Sequence, residues 1–152
     1  KLDVWKHALN VSEKFYNKKF KYLLDIEVTN PLTSPKDLNK FICKYFETKD
    51  AFDGMFCARK SWKNPYFNIL EKSHKKFSVS KRFKNKIVSR QKAPTTYDHI
   101  AAMYIFKSSY IRKAKYIFDG KLKHYELPLN KSIDIDSIED YELVKKIFDK
   151  NV

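Results

Sequence analysis

The chain has 152 residues, Lys and Arg number 32 against 18 Asp and Glu, and the formal net charge is +14. That length bounds it to one domain or a large piece of one. With 43% hydrophobic and 16% aromatic residues, it can bury a real core, which excludes wholesale disorder. No run approaches the roughly 20 apolar residues of a membrane-spanning helix, and the start, Lys1 to His7, carries no apolar stretch resembling a signal peptide. A soluble, cytoplasmic protein with no membrane partner is expected.

From the N-terminus, residues 2–20 read as an amphipathic helix, with Trp5, Ala8, Leu9, Ser12, Phe15 and Tyr16 at helical spacing. Tyr22 to Val28 reads as a buried strand. A turn through Thr29–Pro35 follows; Ser34 suits an N-cap, Pro35 the first helical position and Asp37 the positive end of the dipole. Leu38, Phe41, Ile42, Tyr45 and Phe46 then form one helical stripe. Strands are expected at Phe52 to Ala58 and Tyr66 to Leu70, then a basic, irregular stretch over 72–98. Ala101 to Phe106 reads as another buried strand, leading into a short helix near Ser108 or Ser109. Brief strands at His124 to Leu127 and Ile133 to Ile135 precede a final helix capped by Ser137, with Tyr141, Val144, Ile147 and Phe148 on its apolar face. Strands alternating with helices predict an α/β fold with a mostly parallel sheet.

Cys43 and Cys57 lie among apolar neighbours without CxxC spacing, so two buried thiols are expected rather than a disulfide or zinc site. The four histidines are scattered. Only four of the basic residues are arginines, whereas proteins that grip phosphates bidentately lean on Arg. The lysines accompany abundant Asn, Ile, Phe and Tyr, all of A/T-rich codons. Lys72 to Lys86 holds eight basic residues, His74 among them, two phenylalanines and no acid. It reads as a solvated loop before a nucleic-acid surface, and a lysine-rich nucleic-acid-binding module remains the alternative reading. The two glycines, Gly54 and Gly120, form no Gly-rich phosphate cradle.

Two constellations carry chemistry. In Ser132-Ile133-Asp134-Ile135-Asp136-Ser137, residues two apart in an extended segment share a face. Asp134 and Asp136 would therefore present paired carboxylates, suited to Mg²⁺ with water and phosphate oxygens completing its shell. The same residues before a helix also serve as cap and dipole groups. In the loop before the AAMYIF strand, Arg90 can grip a carboxylate with two parallel hydrogen bonds and Gln91 can donate to sugar hydroxyls. An Arg-Gln pair there is equally ordinary surface. Asp98-His99 suggests a dyad, but no nucleophile has a recognisable context around it.

Four segments in order, VTNPLTSPKDL, ARKSWKNPYFNILE, SRQKAPTTYDHIAAMYIF and KSIDIDSIEDYELVKKI, resemble the acylneuraminate cytidylyltransferases, the CMP-sialic acid synthetases. The resemblance runs from about residue 2 to the C-terminus. It implies a three-layer nucleotide-diphospho-sugar transferase-like fold, incomplete at the N-terminus, with residues 1–152 forming the C-terminal two-thirds. It also implies an enzyme that joins CTP to a nonulosonic acid and releases pyrophosphate, with Mg²⁺ as cofactor. By position, Asp134 and Asp136 match the catalytic, metal-binding aspartates, and Arg90 the arginine that pairs with the sugar's carboxylate. Glu27 takes the place of a polar sugar contact, often Gln; Tyr104 and Phe118 match walls of the sugar pocket. Residues 59–92 would form a dimerisation and sugar-site insertion, making a homodimer. A catalytically silent dimerising scaffold is the other alternative.

The sequence departs from the family's pattern in four ways. Ile100-Ala101 stands where many members have Asn-Gly, which removes a polar sugar contact. Glu27 in place of Gln sets an anion beside an anionic substrate. Thr33 replaces an arginine. The family's Gly-rich CTP loop is absent from these residues, so the chain reads as a C-terminal fragment, inactive alone.

Overall fold

A computed structural model describes residues 1–83 and 90–149, with Arg90 described in its backbone alone. Helix α1 (Leu2–Tyr16) buries Leu2, Trp5 and Leu9 along one stripe. It stops short of the expected residue 20 because Asn17 turns left-handed at φ 46°. The Lys18 N–H then closes on the Glu13 carbonyl at 3.1 Å, a helix end that Asn tolerates well. Strand β1 (Tyr22–Ile26) leads to α2 (Pro35–Phe46), where Ser34 and Asp37 form the reciprocal capping box and Pro35 opens the helix.

Strand β2 (Gly54–Lys60) is followed by a separate hairpin, β3 (Leu70–Ser73) and β4 (Lys76–Val79), turning at His74 with φ 51°. The strand expected at Tyr66 to Leu70 is thus corrected, and the stretch over 72–98 expected to be irregular carries hairpin strand at 72–73 and 76–79. Asn64 takes the Tyr66 N–H on its side-chain oxygen at 3.0 Å and the Phe67 N–H on its carbonyl at 3.0 Å. This Asx turn folds the segment's start away from extension. Strand β5 (Tyr97–Lys107) runs into α3 (Ser108–Lys113), then β6 (Leu122–Glu126) and α4 (Ile138–Asp149). Residues 133–135 form no strand; the segment is tied to the loop after β1 by Ile135 N–H to the Thr29 carbonyl (2.9 Å) and Asn30 Nδ2 to the Ile133 carbonyl (3.2 Å). Of α4's apolar face, Val144 is buried while Tyr141 and Phe148 stay exposed.

The main sheet has the order β1-β5-β2-β6. It is mixed α/β, and the expectation of a mostly parallel sheet is corrected: β1/β5 and β2/β5 are antiparallel, and β2/β6 alone is parallel. The helix–strand alternation did reflect β1, β2 and β6 pointing one way. Inserting the reversed β5 between β1 and β2 turns two of the three pairings antiparallel.

Helices cover both faces. On one, α2 sets Phe41 and Tyr45 against Met55, Cys57, Ile100, Met103 and Ile105. On the other, α1 and α3 set Leu2, Trp5 and Ile111 against Tyr104 and Phe106. Cys57 is buried, but Cys43 is exposed, correcting the second expected buried thiol. Among the described residues no helix is long and apolar enough to cross a membrane.

One irregularity positions the site. Phe56 opposes Tyr104, yet Cys57 opposes Ile100, so three residues of β5 stand extra against one step of β2. An odd insertion reverses the in–out alternation. Upstream of the bulge, the odd-numbered residues therefore share a face with Tyr104 and Phe106.

Candidate functional site

Beyond β1 the chain continues extended, the Glu27 N–H donating to the Ala102 carbonyl at 2.9 Å. Asp25 and Glu27, two apart, face the α1 side. The Trp5 indole Nε1–H donates to Asp25 at 2.9 Å, and the Lys1 ammonium pairs with both carboxylates. The same ammonium lies 4.9 Å from the centroid of the Tyr104 ring. Glu27 is therefore charge-compensated by Lys1, which answers the objection to an anion at this position.

Tyr104 is fully buried, and its hydroxyl shares a 2.9 Å hydrogen bond with His99 Nε2. The β5 bulge makes this contact, since plain alternation would send residues 99 and 104 to opposite faces. The Phe118 ring stands 5.3 Å from His99 and 5.1 Å from Phe56, leaving Phe118 partly open to solvent. Burial, then the charges of Asp25, Cys57 and Asp134, push the Tyr104 hydroxyl well above the ordinary tyrosine range. It stays a neutral hydrogen-bonding group. His99 keeps an exposed edge, but desolvation by the surrounding rings, then the Lys1 charge, lowers its pKa.

The acidic segment arrives from the other side. Lys131 pairs with Asp37 in the α2 cap. Next along the chain, the Ser132 hydroxyl donates to the Leu129 carbonyl (3.0 Å) and accepts from Arg59 Nη1 (3.4 Å), while Arg59 Nε pairs with Asp98 at 3.2 Å. Asp134 is half-buried, and its Oδ1 is buried without a hydrogen-bond donor. Asp136 is exposed, its N–H donating to Asp140 at 3.3 Å beside the Ser137 cap. The two aspartates thus sit in different surroundings. Among the described residues no three His, Cys, Asp or Glu side chains converge on one metal position, so a cation here would draw on these two carboxylates with ligands from outside the set.

Glu27 and Tyr104 are joined through Lys1, and Phe118 through His99; among the described residues no hydrogen bond or ion pair joins Asp134 to them. Gln91 sits exposed in a short 3₁₀ turn, Arg90–Lys92, and no contact among the described residues joins it to that group. The Arg90 side chain lies outside the described residues. The sequence reading missed Lys1 and His99. The one signal for His99 was its place beside Asp98, and its role depends on a bulge that hydropathy does not reveal.

No protein-family model matches the chain. It is 31% identical over 147 residues to the post-translational flagellin modification protein B of Campylobacter coli. It is also 31% identical over 145 residues to the CMP-N,N'-diacetyllegionaminic acid synthase of Campylobacter jejuni. Each match takes in 95% of this chain, and the chain spans 60% of the length of each relative. These matches take in nearly all of the chain, the segments that carry the sequence motifs included, and they agree with the resemblance read from those motifs.

Proposed function

We propose that this chain supplies the sugar-acid and metal side of a cytidylyltransferase that joins CTP to a nonulosonic acid and releases pyrophosphate. The observation that carries this reading is the buried, donor-free Oδ1 of Asp134, in a chain 31% identical to a CMP-N,N'-diacetyllegionaminic acid synthase. A carboxylate oxygen buried without a donor is costly unless a cation takes it. The donor set of Asp134 and Asp136 fits Mg²⁺, a hard cation satisfied by few protein oxygens and several waters. Bound there, Mg²⁺ would neutralise charge on the phosphates as the α-phosphorus is attacked.

The chain's own residues would hold and orient the sugar acid. Arg90 would take its carboxylate through two parallel hydrogen bonds, and Gln91 a hydroxyl. Glu27, compensated by Lys1, would accept from a sugar hydroxyl without repelling the acid. The neutral Tyr104–His99 pair and the Phe118 ring would form the wall. Holding the anomeric hydroxyl in line with the α-phosphorus turns binding energy into orientation; the bond to that hydroxyl forms as the bond to pyrophosphate breaks. Residues 59–92, with the β3–β4 hairpin, would serve a homodimer in the cytoplasm.

The test has two arms. With CTP, Mg²⁺ and a nonulosonic acid, this chain alone should release no pyrophosphate, and turnover would overturn the division of labour. In amide NMR of the chain, Mg²⁺ should give saturable shifts at residues 133–137 that Asp134→Asn removes. Identical shifts in the variant would refute the metal role.

A further inference from the structure

At the opposite end of β1 from Glu27, a hollow of about 470 Å³ opens where β1 and β5 meet α3. From Tyr22 to Glu27 the extended chain covers about 16 Å, so this hollow is separate from the candidate sugar site. Lys21, Lys107, Arg112 and Lys113 line it, and no acidic residue does. Arg112 is already committed to Glu13 of α1, which also takes Lys19 and the Phe20 N–H. Among the described residues the other three ammonium groups have no carboxylate partner.

At its wall lies Ser108, 3% exposed, with a hydroxyl oxygen that is buried and makes no hydrogen bond. The Ser108 amide is already spent on the Lys21 carbonyl at 2.9 Å, so the feature is not a bare helix terminus. A buried hydroxyl without a partner is a donor in want of an acceptor. Three lysines without a carboxylate partner around one hollow leave it electropositive, which favours an anion. Both deficits are met by one ligand type, an oxyanion that accepts from a hydroxyl and from ammonium groups together.

We infer that the hollow between β1, β5 and α3 is a phosphate-class anion site, formed by Lys21, Lys107 and Lys113 with the Ser108 hydroxyl at its wall. The reading stands apart from the proposed enzyme activity. Phosphate borne by a nucleotide and free phosphate offer the same chemistry, and the experiment separates them.

The isotope-labelled chain is titrated with inorganic phosphate, pyrophosphate and CMP at constant ionic strength, with chloride as reference, following backbone amides by NMR. Saturable shifts at Ser108, Ser109 and Lys113 are expected, absent with chloride. The tightest of the three ligands tells free from esterified phosphate. Charge-assisted hydrogen bonds of this kind are each worth about a tenfold change in affinity, so Ser108→Ala should weaken binding severalfold and the double change Lys107→Met, Lys113→Met tenfold or more. Ser108→Ala removes an unsatisfied buried group and the lysines are at the surface, so folding is not at risk. Shifts matched by chloride, no saturation, or unchanged affinity in both variants would overturn the site.

Discussion

Asp37 joins the α2 cap to the segment that leads into Asp134, and its titration tests that link. Its carboxylate accepts the Ser34 N–H at 3.0 Å and pairs with Lys131. Burial pushes the carboxyl up, but the hydrogen bonds from Lys131 and Ser34 outweigh it, and the group is held at about 2 against an ordinary 3.8. At about 1.4 kcal/mol per tenfold that shift corresponds to about 2.5 kcal/mol. Lys131 is 30% exposed, and solvent screening reduces the contribution to about 1–2 kcal/mol. Because the folded pKa lies below the unfolded one, this stability is fully present above the ordinary value and disappears as pH falls through the folded value. Urea unfolding of Asp37→Asn should show the chain less stable by about 1–2 kcal/mol at neutral pH, with the gap closing near pH 2. Lys131→Met should behave alike, and both should shift the Asp134 amide. A gap of the same size at both pH values would refute the electrostatic origin.

Gly54→Ala should destabilise by about 3 kcal/mol in thermal unfolding, because a Cβ there would meet the Phe106 ring and come within 2.7 Å of the Ile105 carbonyl oxygen, which cannot give way. A thiol reagent should titrate one cysteine rapidly in the native chain and two in denaturant: Cys43 is exposed, whereas burial pushes Cys57 up to about 12. His99, followed by NMR, should titrate below 6.5, and Lys1→Met should move it upward while leaving it depressed, since burial is the larger cause. A value above 6.5 in the unaltered chain would remove the desolvated pocket from the account.

Much of the fold was legible because it rests on local chemistry. The Ser34–Asp37 and Ser137 caps each satisfy helix-end donors within a few residues, and the Leu38–Phe46 stripe repeats at helical spacing. Strand direction was not legible, because nothing in Ala101–Phe106 records which neighbours it will have or which way it will run. The hairpin β3–β4 escaped notice because Leu70 and Phe77 are exposed, so no buried face marks its period. At the site, Glu27, Tyr104 and Asp134 came from resemblance, while Lys1 could not have been found: its part depends on α1 lying across β1, a contact with no sequence spacing.

The bulge in β5 also changes how the Ile100 departure should be weighed. Ile100 opposes Cys57, is 7% exposed and belongs to the core beneath α2. It faces away from Tyr104, so a polar side chain there would enter an apolar cluster at a cost. The residue turned toward the pocket at this level is His99, held by the Tyr104 hydroxyl and flanked by Phe118. Where the resemblance leads one to expect a polar side chain at 100, the polar group of this chain stands at 99, on the Tyr104 face of the sheet. This arrangement, apolar inside and imidazole outside, depends on the three extra residues that reverse the strand's alternation. Removing one residue from 101–103 should therefore disturb the His99–Tyr104 contact and the Ile100 core position together, since both depend on the same reversal of faces.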